Sequence, residues 1–409
     1  MKSRLLIGLV LLSAFSETTF AGGFQVNTQG QKAIGMGGAF TGLCSDASAV
    51  YFNPAGIPSL IRSHQVITGT SLIFPAISVS TDAVSNTDMR KSVATPVQIY
   101  YAGKLNEHVG FGFGLNNQFG ASGTFDDDWQ GKYIIQKISL KTFMYQPTVS
   151  FKINRFASFG IGYVFSTGEF EFKKAIPAGN NNSDYGEASL SGKGKGRGFN
   201  LGFFTHPFEE VTAGISYRSE QKISISDGVA TFTKIPVSLQ TIFPEKTTFR
   251  SSLTLPSVLS AGFAFRPDSL KKLLIVFDVV KTYWSAYDTL QFNFENVETP
   301  DSKIEKLWIN TMTYRIGASY KLSEKFELRA GIYQDDSPIP DGHLSPELPD
   351  NTHTGYTLGI GLKISKTISA DISWLYSNIR REGSLSAEGF SGKYHMIISV
   401  IGLGLAISM

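Results

Sequence analysis

The sequence predicts an all-β protein, a transmembrane antiparallel β-barrel of about 14 strands, and three observations carry that reading. Residue character alternates strictly over many short segments. Tight and long connections alternate along the chain. Beyond the first twenty residues, no apolar run reaches the ~18 residues expected of a membrane helix. A chain that enters lipid without helices must close its sheet, because only closure gives every strand N–H and C=O a partner there.

The alternation is clearest at the end of the chain. Ile401, Leu403, Leu405, Ile407 and Met409 fall on one face, and Gly402, Gly404, Ala406 and Ser408 on the other. Tyr356, Leu358, Ile360, Leu362 and Ile364 repeat the pattern against Thr357, Gly359, Gly361 and Lys363. Segments around Val109–Leu115, Phe159–Phe165 and Val211–Tyr217 do the same. A soluble sandwich also alternates, but it packs its apolar faces together. Here the second face is Gly, Ser, Ala and Thr with scattered charge, which suits a barrel interior. Composition agrees: 41 Gly, 31 Phe and 16 Tyr accompany only 17% charged residues. The net charge of +3 is too small and dispersed to indicate nucleic acid.

In chain order, residues 1–21 read as a secretory signal peptide. Lys2 and Arg4 precede an apolar run from Leu5 to Phe15, with cleavage expected after Ala21. Residues 22–63 are glycine-rich and lack strand periodicity, so they form either a periplasmic extension or a segment folded into the lumen. Residues 64–409 form the barrel. Tight joints at Leu105–His108, Ile153–Phe156, His206–Glu210, Leu322–Lys325 and Ser365–Thr367 read as periplasmic turns. Polar stretches at 80–95, 123–137, 173–187, 229–248, 295–305, 335–351 and 381–391 read as extracellular loops. An even strand number puts both termini in the periplasm of a bacterial outer-membrane protein. The chain ends on Met409, where such barrels commonly end in an aromatic residue, yet the alternation runs intact to that point.

No residue set predicts catalysis, a cofactor or a metal. The six histidines are scattered, and no HExxH, CxxC or GxSxG occurs. His395, with serines nearby, lacks the supporting motif of a barrel lipase. Asp126-Asp127-Asp128 lacks the spaced oxygen ligands of a calcium loop and reads as solvated. Cys44 is the only cysteine, so no internal disulfide forms. Lys193, Lys195 and Arg197 share one face of a strand. That row either faces the lumen, where it would attract a carboxylate, or faces outwards, where it would meet lipopolysaccharide phosphates. The stretch 229–248 is unusually apolar for a loop, with Phe232, Ile235, Val237, Leu239, Ile242 and Phe243. Exposed apolar patches mark binding surfaces.

Several motifs resemble the FadL/TodX-type family of outer-membrane long-chain fatty acid and hydrocarbon transporters. They are Gly23-Phe24-Gln25-Val26-Asn27, Asn53-Pro54-Ala55-Gly56, Asn116-Asn117-Gln118-Phe119-Gly120, Tyr217-Arg218-Ser219-Glu220, Tyr314-Arg315-Ile316-Gly317 and Asp335-Asp336-Ser337-Pro338-Ile339-Pro340. They follow the family's order over nearly the whole chain. The resemblance implies that 22–63 is a hatch plugging the lumen, with Asn53, Pro54 and Ala55 at its gating turn. It implies an apolar substrate pocket beside Phe24, and an inward kink at Phe119-Gly120 that opens the wall sideways. The implied function is passive uptake of hydrophobic molecules, first of all long-chain fatty acids, captured by the apolar loop groove. Aromatic hydrocarbon uptake on the same fold is the alternative, and a non-transporting receptor or adhesin a more distant one. The implied protein works as a monomer among outer-membrane lipids and lipopolysaccharide.

Overall fold

A computed structural model describes residues 22–179 and 185–409, so the expected signal peptide lies outside the described residues. The wall is one antiparallel sheet closed on itself. β1 (His64–Ser80) pairs with β14 (Phe390–Ser408) from Gln65–Ser408 to Ser80–Lys393, and this seam closes the ring. Between them run β2 (Val97–Lys104), β3 (Val109–Asn116, then Gly120–Thr124), β4 (Lys137–Lys152), β5 (Ala157–Pro177) and β6 (Tyr185–Phe208). β7 (Val211–Arg218 and Gln221–Thr233), β8 (Lys246–Leu255 and Val258–Phe265), β9 (Leu273–Thr282 and Thr289–Phe294) and β10 (Ser302–Glu305 and Thr311–Lys321) are each interrupted once. β11 (Phe326–Asp335), β12 (His353–Lys363) and β13 (Ile368–Leu385) complete the fourteen strands of the ring among the described residues.

The period-two pattern sorts side chains as expected. Ile401, Leu403 and Leu405 are exposed on the outside of β14, as are Tyr356, Leu358 and Ile360 on β12. Thr357, Ser373 and Ser377 are buried on the inside. The outer connections depart from expectation. Much of what reads as loop is paired strand: Lys173–Pro177 continues the ladder with β6, and Arg381–Leu385 the ladder with β14. Outside lipid a strand needs no apolar face, so hairpins that project into water carry polar residues and read as loops.

Residues 22–63 run through the ring rather than away from it. Two short helices, α1 (Gln31–Ile34) and α2 (Ala49–Phe52), precede a 3₁₀ turn at Pro54–Ser59. Gln31 donates to Ser71 of β1 (3.1 Å) and accepts from Ser373 of β13 (2.6 Å). The Gly37 N–H donates to Thr357 of β12 at 2.9 Å, and the Phe40 and Thr41 N–H groups to Asp278 of β9 at 2.8 Å each. Ser158 of β5 donates to the Ala55 carbonyl (2.6 Å), and Arg218 of β7 to the Tyr51 carbonyl (3.1 Å). Partners on strands all around the ring place this segment across the lumen. Irregular backbone is tolerated at membrane depth only inside such a wall.

Candidate functional site: an aromatic cage beside a break in the wall

The lower half of the lumen segment is held by an elbow at Asn53-Pro54-Ala55. Asn53 caps the 3₁₀ turn by accepting from the Ala55 N–H at 3.2 Å. Its amide nitrogen donates to the carbonyls of Thr41 (3.1 Å) and Phe203 (2.9 Å), so a buried side chain ties the turn to its own segment and to β6. Pro54 supplies the fixed φ of the first turn position and has no N–H to leave unpaired. Three wall glycines make room. A Cβ on Gly202 or Gly214 would overlap the Asn53 amide, and one on Gly160 the Pro54 carbonyl group. Those glycines carry no motif of their own, because only the docked elbow gives them a role.

The upper end of the segment is held differently. Phe24 lies in an aromatic cage, with ring centroids 4.9 Å from Trp284, 5.3 Å from Tyr287, 5.5 Å from Trp308 and 5.8 Å from Phe119. Most of these contacts are edge-to-face, the arrangement favoured by ring quadrupoles. The interruptions of β9 and β10 supply Trp284, Tyr287 and Trp308. Phe24 and Phe119 stand out in the sequence as motif residues, whereas these three were missed. A tryptophan between two strand segments was the available signal, and nothing in it points to Phe24. Few backbone bonds support the cage: Val26 N–H to Gln118 carbonyl (2.8 Å) and Gly120 N–H to Phe24 carbonyl (3.0 Å). The Gly23 N–H donates to Asp350 at 2.7 Å. Asp350 sits in the outer connection between β11 and β12, and burial pushes its carboxyl well above the ordinary carboxylate range.

β3 breaks at 117–119, beside this cage. Below the break it pairs with both β2 and β4; beyond it, Gly120–Thr124 pairs with β4. Side chains bridge the break in place of the ladder. Asn117 accepts from the Val97 N–H (2.9 Å) and donates to the Thr142 carbonyl (2.6 Å). Thr142 donates in turn to the Phe119 carbonyl at 2.6 Å. Between that bridge and the Arg90 N–H bond to Thr124 (2.7 Å), residues 91–96 make no backbone hydrogen bond to 118–123, all of them described residues. The wall therefore has a window there.

A cavity of about 780 Å³ joins the cage to the window. Phe24, Phe119 and Ile77 line it on the lumen side, Val93–Val97 and Gly120–Ser122 at the window. Both faces of β4 contribute, inward Leu140 and Thr142 and outward Lys141 and Phe143, so the cavity passes through the wall.

The apolar loop residues are not brought to the cage. Phe232 is buried in a second cluster with Leu190, Ile225, Phe249 and Phe292, and Ile235 and Phe243 pack against it. Leu239 and Ile242 are half-buried, and Val237 is 84% exposed. Phe172 and Leu290 touch both clusters and connect this outer patch to the one holding Phe24. The other sequence candidates find ordinary partners. Asp126 pairs with Arg90 and Asp127 with Lys173, while His395 bonds Asn378 rather than a serine.

A closed barrel crossed by its own N-terminal segment, with a cavity that reaches through the wall, is the architecture of an outer-membrane transport protein. The chain belongs to the outer membrane protein transport protein family (OMPP1/FadL/TodX), whose profile matches residues 12–404. It is 26% identical to Outer membrane protein P1 of Haemophilus influenzae over 84% of this chain and 83% of that one. It is 24% identical to the Long-chain fatty acid transport protein of Escherichia coli (strain K12), over 92% of this chain and 91% of that one. The fold matches a Pseudomonas aeruginosa FadL homologue with a TM-score of 0.82 at 17% identity, covering 95% of this chain and 100% of that one. It also matches the toluene transporter TodX of Pseudomonas putida with a TM-score of 0.73 at 15% identity, covering 96% and 99%.

Proposed function

We propose that this protein takes up long-chain fatty acids passively across the outer membrane and releases them sideways into the bilayer. The observation that carries the reading is Phe24 seated in its aromatic cage at the head of a cavity that reaches the window. Phe24 acts as a built-in occupant of an apolar pocket, so a ligand enters by displacing it. The cavity volume lies within the ~300–1,000 Å³ of small-molecule sites. The outer patch of Phe232, Ile235, Val237, Leu239, Ile242 and Phe243 collects the ligand from the lipopolysaccharide leaflet. Residues 22–63 serve as a hatch whose lower half, fixed by Asn53, Pro54 and Ala55, blocks an aqueous path to the periplasm. The route beside Phe119 and Gly120 keeps the acyl chain out of water, which favours it by ~0.8 kcal/mol per methylene. The name of the Escherichia coli relative supports a fatty acid as ligand.

The second reading is aromatic hydrocarbon uptake, and the four-ring cage around Phe24 favours it specifically. Both readings are tested in one experiment. A strain lacking the protein is complemented with wild type, Gly120→Pro or Ala121→Trp, and uptake of labelled oleate and labelled toluene is followed. Oleate uptake lost in both window variants supports lateral release of fatty acid. Uptake unchanged in both sinks the lateral route, and loss of toluene uptake alone assigns the hydrocarbon.

A further inference from the structure

The basic row on β6 faces outwards. Lys193, Lys195 and Arg197 are exposed and alternate with Gly194 and Gly196 on the inner side, where Gly194 abuts the inward side chain of Ile223. The row continues the exposed apolar face of Phe199 and Phe203. Its height is fixed by aromatic neighbours. Phe165 pairs with Arg197 across the ladder, Tyr145 meets Phe165 at 6.0 Å, and Phe199 meets Tyr217 at 5.9 Å. Aromatic girdles mark the membrane–water boundary of barrels. β6 runs from the external connection down to its periplasmic end at Phe208, so Lys193, Lys195 and Arg197 stand just above the outer girdle.

The row is only partly neutralised by the protein. Lys193 pairs with Glu169 at 2.6 Å, and Lys137 with Glu171 at 2.5 Å. Lys141, Lys195, Arg197 and Lys222 have no ion-pair partner among the described residues, and all four are exposed. Ser224, two residues from Lys222 on the same face of β7, pairs with Lys195. The cations therefore form a patch across β4 to β7, and the row on β6 alone spans about 13 Å. Unpaired charges above an aromatic belt need a counter-ion at the height where outer-leaflet headgroups lie.

We propose that this patch, centred on Lys195 and Arg197, docks the phosphorylated sugar headgroup of lipopolysaccharide, with the acyl chains resting on Phe165, Phe199 and Tyr217. The assignment rests on the outer-membrane placement of the barrel and is independent of what the lumen carries. A lipid held there would fix the barrel's height in the leaflet beside the strands that flank the window.

The full-length protein, extracted from outer membranes and stripped of lipid, is titrated in detergent with lipopolysaccharide, and bound lipid is counted by native mass spectrometry. Wild type is expected to bind phosphorylated lipopolysaccharide about tenfold more tightly than the Lys195→Gln/Arg197→Gln variant. Lys271→Gln/Lys272→Gln, at the opposite end of the barrel, should match wild type. Heat-modifiable migration on gels reports folding, and Lys195→Gln alone carries the test if the double variant does not fold. Equal binding by wild type and the row variant overturns the proposal. So does equal binding of lipopolysaccharide stripped of its phosphates, or displacement by millimolar inorganic phosphate.

Discussion

The two ends of the lumen segment are held by different physics. At the lower end, Asn53 makes three hydrogen bonds in a buried site, and wall glycines fit its backbone closely. Such contacts are directional, and a group torn from them is left unsatisfied. At the upper end, Phe24 rests among rings beside a large cavity, with few backbone bonds. Apolar contacts are non-directional, so another apolar molecule can replace them. An anchor below and a replaceable contact above are what a channel for apolar molecules needs if it is not to leak.

Removing the anchor should have the largest effect. Asn53→Ala strands the Thr41 and Phe203 carbonyls, at about 1–3 kcal/mol for each buried group. Hydrogen exchange of residues 40–60 should quicken strongly, and vancomycin sensitivity of whole cells should rise as the lumen leaks. Unchanged protection would mean that the elbow anchors nothing and that the two ends are held alike. Next, Gly202→Ala forces a methyl against Asn53, and overpacking of this kind costs about 1–3 kcal/mol. Exchange in the same region should quicken, while the barrel's own unfolding temperature changes little.

At the upper end the readout is affinity. Phe24→Ala empties the cage, so an apolar ligand no longer competes with an internal ring. Binding of a fluorescent fatty acid should tighten by about tenfold, the equivalent of ~1.4 kcal/mol. Weaker binding would mean that Phe24 forms part of the ligand site instead of occupying it. A smaller effect follows from Asp350. Burial raises its carboxyl while the Gly23 N–H bond lowers it, so release of Gly23 leaves the buried carboxyl holding its proton more tightly. Docking of Gly23 should therefore be strongest where the carboxylate is ionised and weaken as pH falls through the raised value. Exchange at residues 23–27, corrected for its intrinsic pH dependence, should show this trend, and Asp350→Asn should flatten it. Smallest is Val237→Ser on the outer patch. Stability should stay within about 0.5 kcal/mol, with any loss appearing only in the rate of ligand capture.

Much of the barrel was legible in the sequence because lipid leaves few options. A strand in a membrane wall must alternate, as Ile401–Met409 does, and the short periplasmic turns stand out between the hairpins. The elbow at Asn53-Pro54-Ala55 was visible as a motif but not as a structure, since its partner Phe203 lies 150 residues away. The cage was less legible still. Trp284, Tyr287 and Trp308 meet Phe24 across the lumen, and each occupies a strand interruption with no periodicity to flag it.

Local sequence thus specifies the closed antiparallel wall, the sidedness of its turns and the faces that side chains share. Those properties follow from local period and from the demand that backbone groups be paired in lipid. Three-dimensional packing settles which face looks outwards at Lys195 and Arg197, where the wall opens beside Gly120, and which rings enclose Phe24. Period two assigns residues to a common face without saying which side that face is on. Only closure of the ring turns each face into lumen or lipid surface, and only then do distant residues become neighbours.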